Sequence, residues 1–518
     1  MSRVASAALV GVDGAFVEVE VRISSQLPRV DVVGLPEAAV RESAARVRAA
    51  IAAAGLRFPD RRVTVNLAPA EVRKTGAGLD LAIAIGILGA QSAFEPEALE
   101  RRAFVGELAL DGRLRPVPGA LALALAARDA GCTEVVVPAA CAAEASLADG
   151  VDVRAASALG AVVAHLLGAA TLPRACAPSD DGAEGAPSPC LSTVRGQAAA
   201  KRALAVAAAG GHGLLLCGPP GAGKTLLARC LPGLLPPLSP SERVDVTRIH
   251  GAAGLLRPGA VAARTRPFRA PHHTASPAGM LGGGNPPRAG EVSLAHCGVL
   301  FLDELPEFDR RVLEALREVM EERRIRLARA RYRCELPADF QLVAACNPCP
   351  CGWHGSGQRD CRCDDGAIAR YARRLSGPLL DRIDLHVRVR PVAWRDLAAS
   401  CSDEAETSGE ARERVARARD VQERRAGRPN AALDDASLER LAQTTDEARA
   451  LLGRAVERLG LSARAARRAL RVARTCGDLD GREVVDAAAM AEALSYRDPS
   501  AIEAAFERAT PMPRERPP

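Results

Sequence analysis

The apolar run Leu214-Leu215-Leu216-Cys217 leads directly into Gly218-Pro219-Pro220-Gly221-Ala222-Gly223-Lys224-Thr225, and the helical stretch Leu-Leu-Ala-Arg-Cys-Leu follows. The spacing is G-x-x-x-x-G-K-[ST] in a strand–loop–helix frame, which is a phosphate-binding P-loop. Backbone N–H groups of such a loop point inward around phosphates, and the helix N-terminus adds partial positive charge. Lys224 can then reach the β- and γ-phosphates of a bound nucleotide, and the Thr225 hydroxyl can coordinate Mg²⁺. A buried strand feeding a helix in this way demands an α/β layer architecture. Lysine usage fits the same reading. Only Lys74, Lys201 and Lys224 occur, among 69 Lys and Arg residues, and a compact ammonium between phosphates is a place arginine cannot fill.

The motif needs partners, and two further apolar runs deliver them. Gly298-Val-Leu-Phe-Leu302 ends in Asp303-Glu304. Two carboxylates at a strand's C-terminal end suit Mg²⁺ binding by Asp303 and activation of the attacking water by Glu304. The run Gln341–Cys346 ends in Asn347, whose amide can position the same water. Later, Gly377-Pro-Leu-Leu-Asp-Arg382 and Leu461-Ser-Ala-Arg464 each present an arginine at the edge of a helical turn. A neighbouring subunit's guanidinium can stabilise a transferring phosphoryl group, but most arginines in this chain have no such duty.

At 518 residues the chain should hold several domains. Residues 1–170 alternate strand-like runs (15–23, 62–67, 134–138) with Ala-rich helical runs, as an α+β domain would. The Pro/Gly/Ser/Asp-rich stretch 171–191 reads as a flexible linker. Residues 192–392 read as a parallel-sheet domain, 393–505 as a helical one, and 506–518 as a disordered tail. The composition is 48% hydrophobic and 25% charged, which is that of a globular chain. No run of about 18 uncharged apolar residues occurs, and the first residues lack a signal-peptide core. A cytoplasmic protein with no membrane association is expected. The 15 cysteines then read as thiols or metal ligands and not as disulfides. A net charge of +6 permits a nucleic-acid partner without requiring one.

Three segments go beyond the nucleotide site. Residues 264–290 are rich in glycine and proline and carry Arg266, Arg269, His272, His273 and Arg288, as a mobile, charged loop would. Arg324 and Arg326, then Arg329, Arg331 and Arg333, keep period two on either side of a phase change. That pattern reads as a hairpin turning near Leu327-Ala328 with up to five guanidiniums on one face. Such a face suits a phosphate backbone, and equally a solvated strand edge protected by charge. Cys349, Cys351, Cys361 and Cys363 form C-x-C-x₉-C-x-C, a pattern open to tetrahedral Zn²⁺, to free thiols or to a redox-active pair.

The motifs together resemble AAA+ ATPases of the magnesium-chelatase subunit I-like clade, and within it the YifB/ComM family. The carrying runs are Gly196-Gln197, Arg266-Pro-Phe-Arg-Ala-Pro-His-His-Thr274, Gly290-Glu-Val-Ser-Leu-Ala-His296, Phe301-Leu-Asp-Glu-Leu-Pro-Glu-Phe308, Asn347-Pro-Cys-Pro-Cys-Gly352 and Leu375–His386. The likeness spans roughly residues 3–497. It implies sensor 1 at Asn347, a trans-acting arginine finger at Arg382, sensor 2 at Arg464, and an adenine pocket along Val194–Gln197. It further implies ATP and Mg²⁺ as cofactors, a helical lid and a homo-hexameric ring. The first domain resembles the ribosomal-S5-like fold of the Lon protease domain. Gly78 stands where that protease has its serine and Leu121 near its lysine, so no peptidase activity is expected. The family places both insertions toward the pore. The implied function is a hexameric DNA translocase driving branch migration during natural transformation. A protein-remodelling chaperone and a metal-chelatase motor subunit are the rival readings.

Overall fold

A computed structural model of the full chain describes all residues except 72, 75, 177–187, 258, 262–264, 330–331, 376, 393–405 and 498–518, and the side chains of 38, 329, 332, 333, 377 and 378. The first domain is a seven-stranded mixed sheet. Its strands are β1 (Ser2–Val10), β2 (Asp13–Ser24), β3 (Arg29–Val33), β4 (Arg62–Ala68), β5 (Arg102–Phe104), β8 (Glu134–Pro138) and β9 (Asp152–Ala156), in the order β3-β4-β2-β1-β5-β8-β9. A short hairpin, β6 (Glu107–Leu108) with β7 (Leu114–Arg115), lies apart from it. Alternation decides which way β2 and β4 face: Val17, Val19, Val21, Val63, Val65 and Leu67 are all fully buried, as period-two strands with one apolar face require. The expected linker spans the undescribed residues 177–187, while just before them Ala155 donates to Pro173 and Ala175 to Val153, extending the β9 edge.

The second domain carries β10 (Leu214–Cys217), β11 (Phe268–Arg269), β12 (Val299–Leu302), β15 (Gln341–Cys346) and β16 (Leu385–Arg388). Their order is β11-β12-β15-β10-β16, and every pairing is parallel. All four residues of β10 and of β12 are buried, as expected when helices cover both faces. The C-terminal segment is helical. Its helix Ala463–Leu479 packs against Ala487–Ser495 and against Ala198–Gly210 of the nucleotide domain, sharing one apolar core. No described helix is long and apolar enough to cross a membrane.

The arginine-rich hairpin forms, but its turn lies further on than the phase change implies. β13 (Arg324–Arg329) pairs antiparallel with β14 (Tyr332–Pro337), with Arg329 opposite Tyr332. Leu327 and Ala328 lie within the strand, paired with Cys334 and Arg333, so the turn is not at Leu327-Ala328. Ile325 and Leu336 are buried at its base, so burial of the alternate positions sets the register. Positions 324, 326 and 333 share one face, whereas position 329 belongs to the other. The five arginines do not share a face. Arg331 and the side chains of Arg329 and Arg333 lie outside the described residues.

The first domain docks on the second through the β1–β2 turn. Val12 is buried in the apolar cluster of the nucleotide domain that includes Ile249, Ala295 and Leu336. Asp13 pairs with Arg248, and Gly119 N–H donates to Gly251 O at 3.0 Å. Glu144 lies at the same contact. It accepts from the Leu121 N–H at 3.2 Å, and its Oε1 sits against Gly251. Burial pushes its carboxyl up to about 7, against the pull of the Leu121 and Ala120 N–H groups. A raised carboxyl pKa means the folded state holds a proton that the unfolded chain releases near 4.5. The resulting stability is complete below that value and is lost as pH rises through about 7. Glu144→Gln is expected to flatten the decline in unfolding midpoint over this window, measured by thermal denaturation at a series of pH values. Parallel wild-type and variant profiles would rule Glu144 out as the responsible group.

Candidate functional site

The parallel sheet brings the motif residues together at one edge, because β10, β12 and β15 all end there. β15 lies between β10 and β12, so Asn347 stands between the P-loop and Asp303. The Lys224 Nζ donates to Gly218 O at 2.6 Å, to Pro219 O at 3.0 Å and to Asn347 Oδ1 at 3.0 Å. Burial lowers its pKa, and the nearby thiols of Cys346 and Cys217 and carboxylates of Asp303 and Glu304 oppose that shift. The Thr225 hydroxyl donates to Asp303 Oδ2 at 2.9 Å. The two side chains expected at Mg²⁺ are thus already adjacent, although nothing in the sequence spacing brings residues 78 apart into contact. Gly218 is required by close approach: a Cβ there would fall 2.2 Å from Val389 O.

Gln197 joins the P-loop to the end of β16. Its Nε2 donates to Ala222 O at 3.4 Å and to Arg390 O at 2.5 Å. Val194 is buried in the adjoining core. The expected adenine-pocket stretch therefore borders the P-loop, on the side where Cys217–Pro219 and residues 388–392 line a cavity.

Arg382 and Arg464 lie elsewhere, and together. Both donate to Glu321 Oε1, Arg382 at 2.7 Å. Leu385 pairs with Leu214, the first residue of β10, so Arg382 sits at the N-terminal edge of the sheet. The P-loop leaves the opposite edge, about 10–13 Å along a four-residue strand. Neither arginine serves the P-loop of its own chain in this arrangement.

Two arginines of the glycine- and proline-rich segment after residue 264 are held in ion pairs. Arg266 is held by Glu242, Pro236 O and Cys297 O. Arg269 forms a bidentate pair with Glu291, both contacts at 2.7 Å. Gly283 and Arg288 close a short ladder. The loop's arginines at 266 and 269 are anchors of the domain and not a display of free charge. The sequence places His273 only among the charges of this loop, and nothing in its spacing points to Glu304. Its Nδ1 lies 3.4 Å from Glu304 Oε2, while its ring contacts His272 and Phe308. Glu304 itself adopts φ +53°, a left-handed conformation unusual for a glutamate.

Three family models match successive stretches of the chain. Residues 190–397 match magnesium chelatase, subunit ChlI; residues 19–141 match the subunit ChlI of Mg-chelatase; residues 405–497 match the subunit ChlI C-terminal region. Competence protein ComM of Haemophilus influenzae is 43% identical over 495 residues, covering 95% of this chain and 96% of that protein. The YifB protein of Escherichia coli K12 is 43% identical over 499 residues, with 96% and 97% covered. A Mycobacterium tuberculosis H37Rv protein is 45% identical over 506 residues, with 97% and 99% covered. The chain belongs to the YifB/ComM family of magnesium-chelatase-like AAA+ proteins. Membership of this ATPase family agrees with the P-loop geometry, the parallel sheet and the helical C-terminal segment.

The His273 contact makes a testable claim on this family member. An orienting role for His273 on the Glu304 carboxylate predicts that His273→Ala lowers kcat for ATP by about tenfold with KM nearly unchanged, the pattern of a lost transition-state interaction. His273→Asn, which keeps a donor, should recover part of the rate. Equal kcat in wild type and His273→Ala would show that the contact is incidental.

Proposed function

We propose that this protein hydrolyses ATP with Mg²⁺ as a homo-hexameric ring and uses the energy to translocate on DNA, driving branch migration of recombination intermediates in natural transformation. The observation that carries the reading is the separation of the site into two halves at opposite edges of one sheet. Lys224, Thr225, Asp303, Glu304 and Asn347 occupy one edge, and Arg382 and Arg464 the other. A ring closes when the arginine edge of one subunit meets the P-loop edge of the next, a heterologous contact that repeats around an axis. The P-loop holds the phosphates, Thr225 and Asp303 hold Mg²⁺, Glu304 activates water, Asn347 positions it, and the neighbour's arginines take up charge on the transferring phosphoryl group. The cysteine cluster holds Zn²⁺.

The DNA reading is supported by similarity to a competence protein and by the arginine hairpin. Arg324 and Arg326 pair with Glu335, and Arg326 also with Glu322. All of these side chains except Glu322 are more than half exposed. Exposed pairs of this kind are worth about 0–1 kcal/mol, so a phosphate can displace them. The bidentate Arg269–Glu291 pair is less exposed and better fixed, and Arg269 leaves the proposed DNA surface.

ATP hydrolysis should rise with single-stranded or branched DNA and vanish in Lys224→Ala and Glu304→Gln. An ATPase indifferent to every DNA would replace this reading with remodelling of protein or cofactor. The ring has its own test. Lys224→Ala and Arg382→Ala proteins, each inactive alone, should regain part of the activity when mixed, because each supplies what the other lacks. No recovery at any mixing ratio would place Arg382 outside the neighbouring site.

A further inference from the structure

The roles above leave the cysteine cluster without a task in the reaction. The Cys349 Sγ lies 3.3 Å from Cys351 Sγ and 3.7 Å from Cys361 Sγ, and Cys351 Sγ lies 3.6 Å from Cys361 Sγ. With Cys363, all four sulfurs fall within 4.8 Å of one another. A tetrahedral zinc site with Zn–S near 2.3 Å places its sulfurs about 3.8 Å apart, whereas a disulfide needs about 2.05 Å. The separations fit four ligands around one ion. The His354 N–H also donates to Cys349 Sγ at 3.4 Å, as a backbone donor does to a sulfur carrying negative charge.

The placement of this cluster matters more than its geometry. Cys349 follows Asn347 by two residues, and the Asn347 Oδ1 accepts from Lys224 Nζ. Gly352, between the two cysteine pairs, has φ +82°, and a Cβ on it would lie 2.6 Å from the ring of Pro220 in the P-loop. The loop backbone therefore rests directly on the P-loop. From the other side, the Arg388 Nη2 donates to Gly355 O at 2.9 Å at the end of β16. The second cysteine pair leads into Asp364, the N-cap of the helix Asp365–Ala372. Between β15 and that helix the chain has no regular secondary structure, so a crosslink would reinforce the Arg388 and Pro220 contacts that hold it against the nucleotide site.

We infer that Zn²⁺ bound by Cys349, Cys351, Cys361 and Cys363 is a positioning element of the ATP site, fixing Asn347 and backing Pro220, so that hydrolysis depends on the occupied metal site. The inference rests on the ATPase and zinc readings proposed above. The four cysteines touch no reacting atom; they act through Asn347 and the P-loop.

The test uses the full chain purified without added metal. Elemental analysis should find about one zinc per chain, the stoichiometry of a four-ligand site. Removing it with a thiol-reactive mercurial and chelator, followed by reduction, should lower kcat by about 10- to 100-fold, as sub-ångström to ångström misplacement of a catalytic group does. Fluorescent ATP-analogue affinity should fall far less, and added Zn²⁺ should restore kcat. Gly352→Ala keeps every ligand and should retain zinc yet hydrolyse ATP slowly, separating metal binding from its coupling to the P-loop. Zinc-free wild-type protein would overturn both the zinc reading and the inference. Zinc-loaded protein whose rate survives stripping would overturn the inference alone. Zinc-loaded protein with no ATPase under any condition would overturn it by removing the reaction it serves.

Discussion

The buried ammonium of Lys224 organises the nucleotide domain. A cation removed from water needs acceptors, and this one takes two P-loop carbonyls and the amide oxygen of Asn347. Those acceptors come from two different strands, so the contact requires β10 and β15 to be neighbours and to run the same way. Parallel neighbours cannot be joined by a tight turn; each connection must cross back over the sheet. The crossovers leave room for long excursions. The histidine-bearing segment follows β11, the arginine hairpin separates β12 from β15, and the cysteine loop separates β15 from β16. Each specialised segment hangs from a strand whose position is set by the phosphate site.

Most of this core was legible in the sequence because its signals are local. The P-loop spacing, the paired carboxylates after a buried strand and the terminal asparagine each fit within a dozen residues, and the parallel sheet follows from them. What escaped was long-range pairing of charge. Arg269 meets Glu291 and Arg266 meets Glu242, 22 and 24 residues away, and no periodicity announces either partner. His273 meets Glu304 only because β11 and β12 lie side by side. The hairpin turn was misplaced for a related reason. A phase change in arginine spacing resembles a turn, but buried Ile325 and Leu336 fix the register.

The first domain is also tied to the hairpin. The β1–β2 turn inserts Val12 among residues that include Leu336 at the hairpin base, and Gly11 lies against Cys334 of β14. Packed interiors resist continuous deformation, so a displacement of the hairpin is transmitted to the β1–β2 turn. The first domain and the hairpin are thereby mechanically coupled.

The helical segment is tied in the same manner to the arginine edge. Arg468 donates to Arg382 O and to Asp384 Oδ1, and His212 joins Asp384 to Thr475. Burial opposes charge on Asp384, yet His212, Arg468 and Arg497 hold its carboxyl well below the ordinary range. Asp384 is therefore a charged bridge between the start of β16 and the helix Ala463–Leu479. Breaking such a buried, hydrogen-bonded pair costs about 3–5 kcal/mol, more than a single exposed pair at the proposed ring interface would supply. When an interface opens or closes, the weaker contacts yield first. In the proposed ring, Arg382, Arg464 and the helical segment then travel as one body, and the nucleotide state of one site is conveyed to the next through the subunit that bears them.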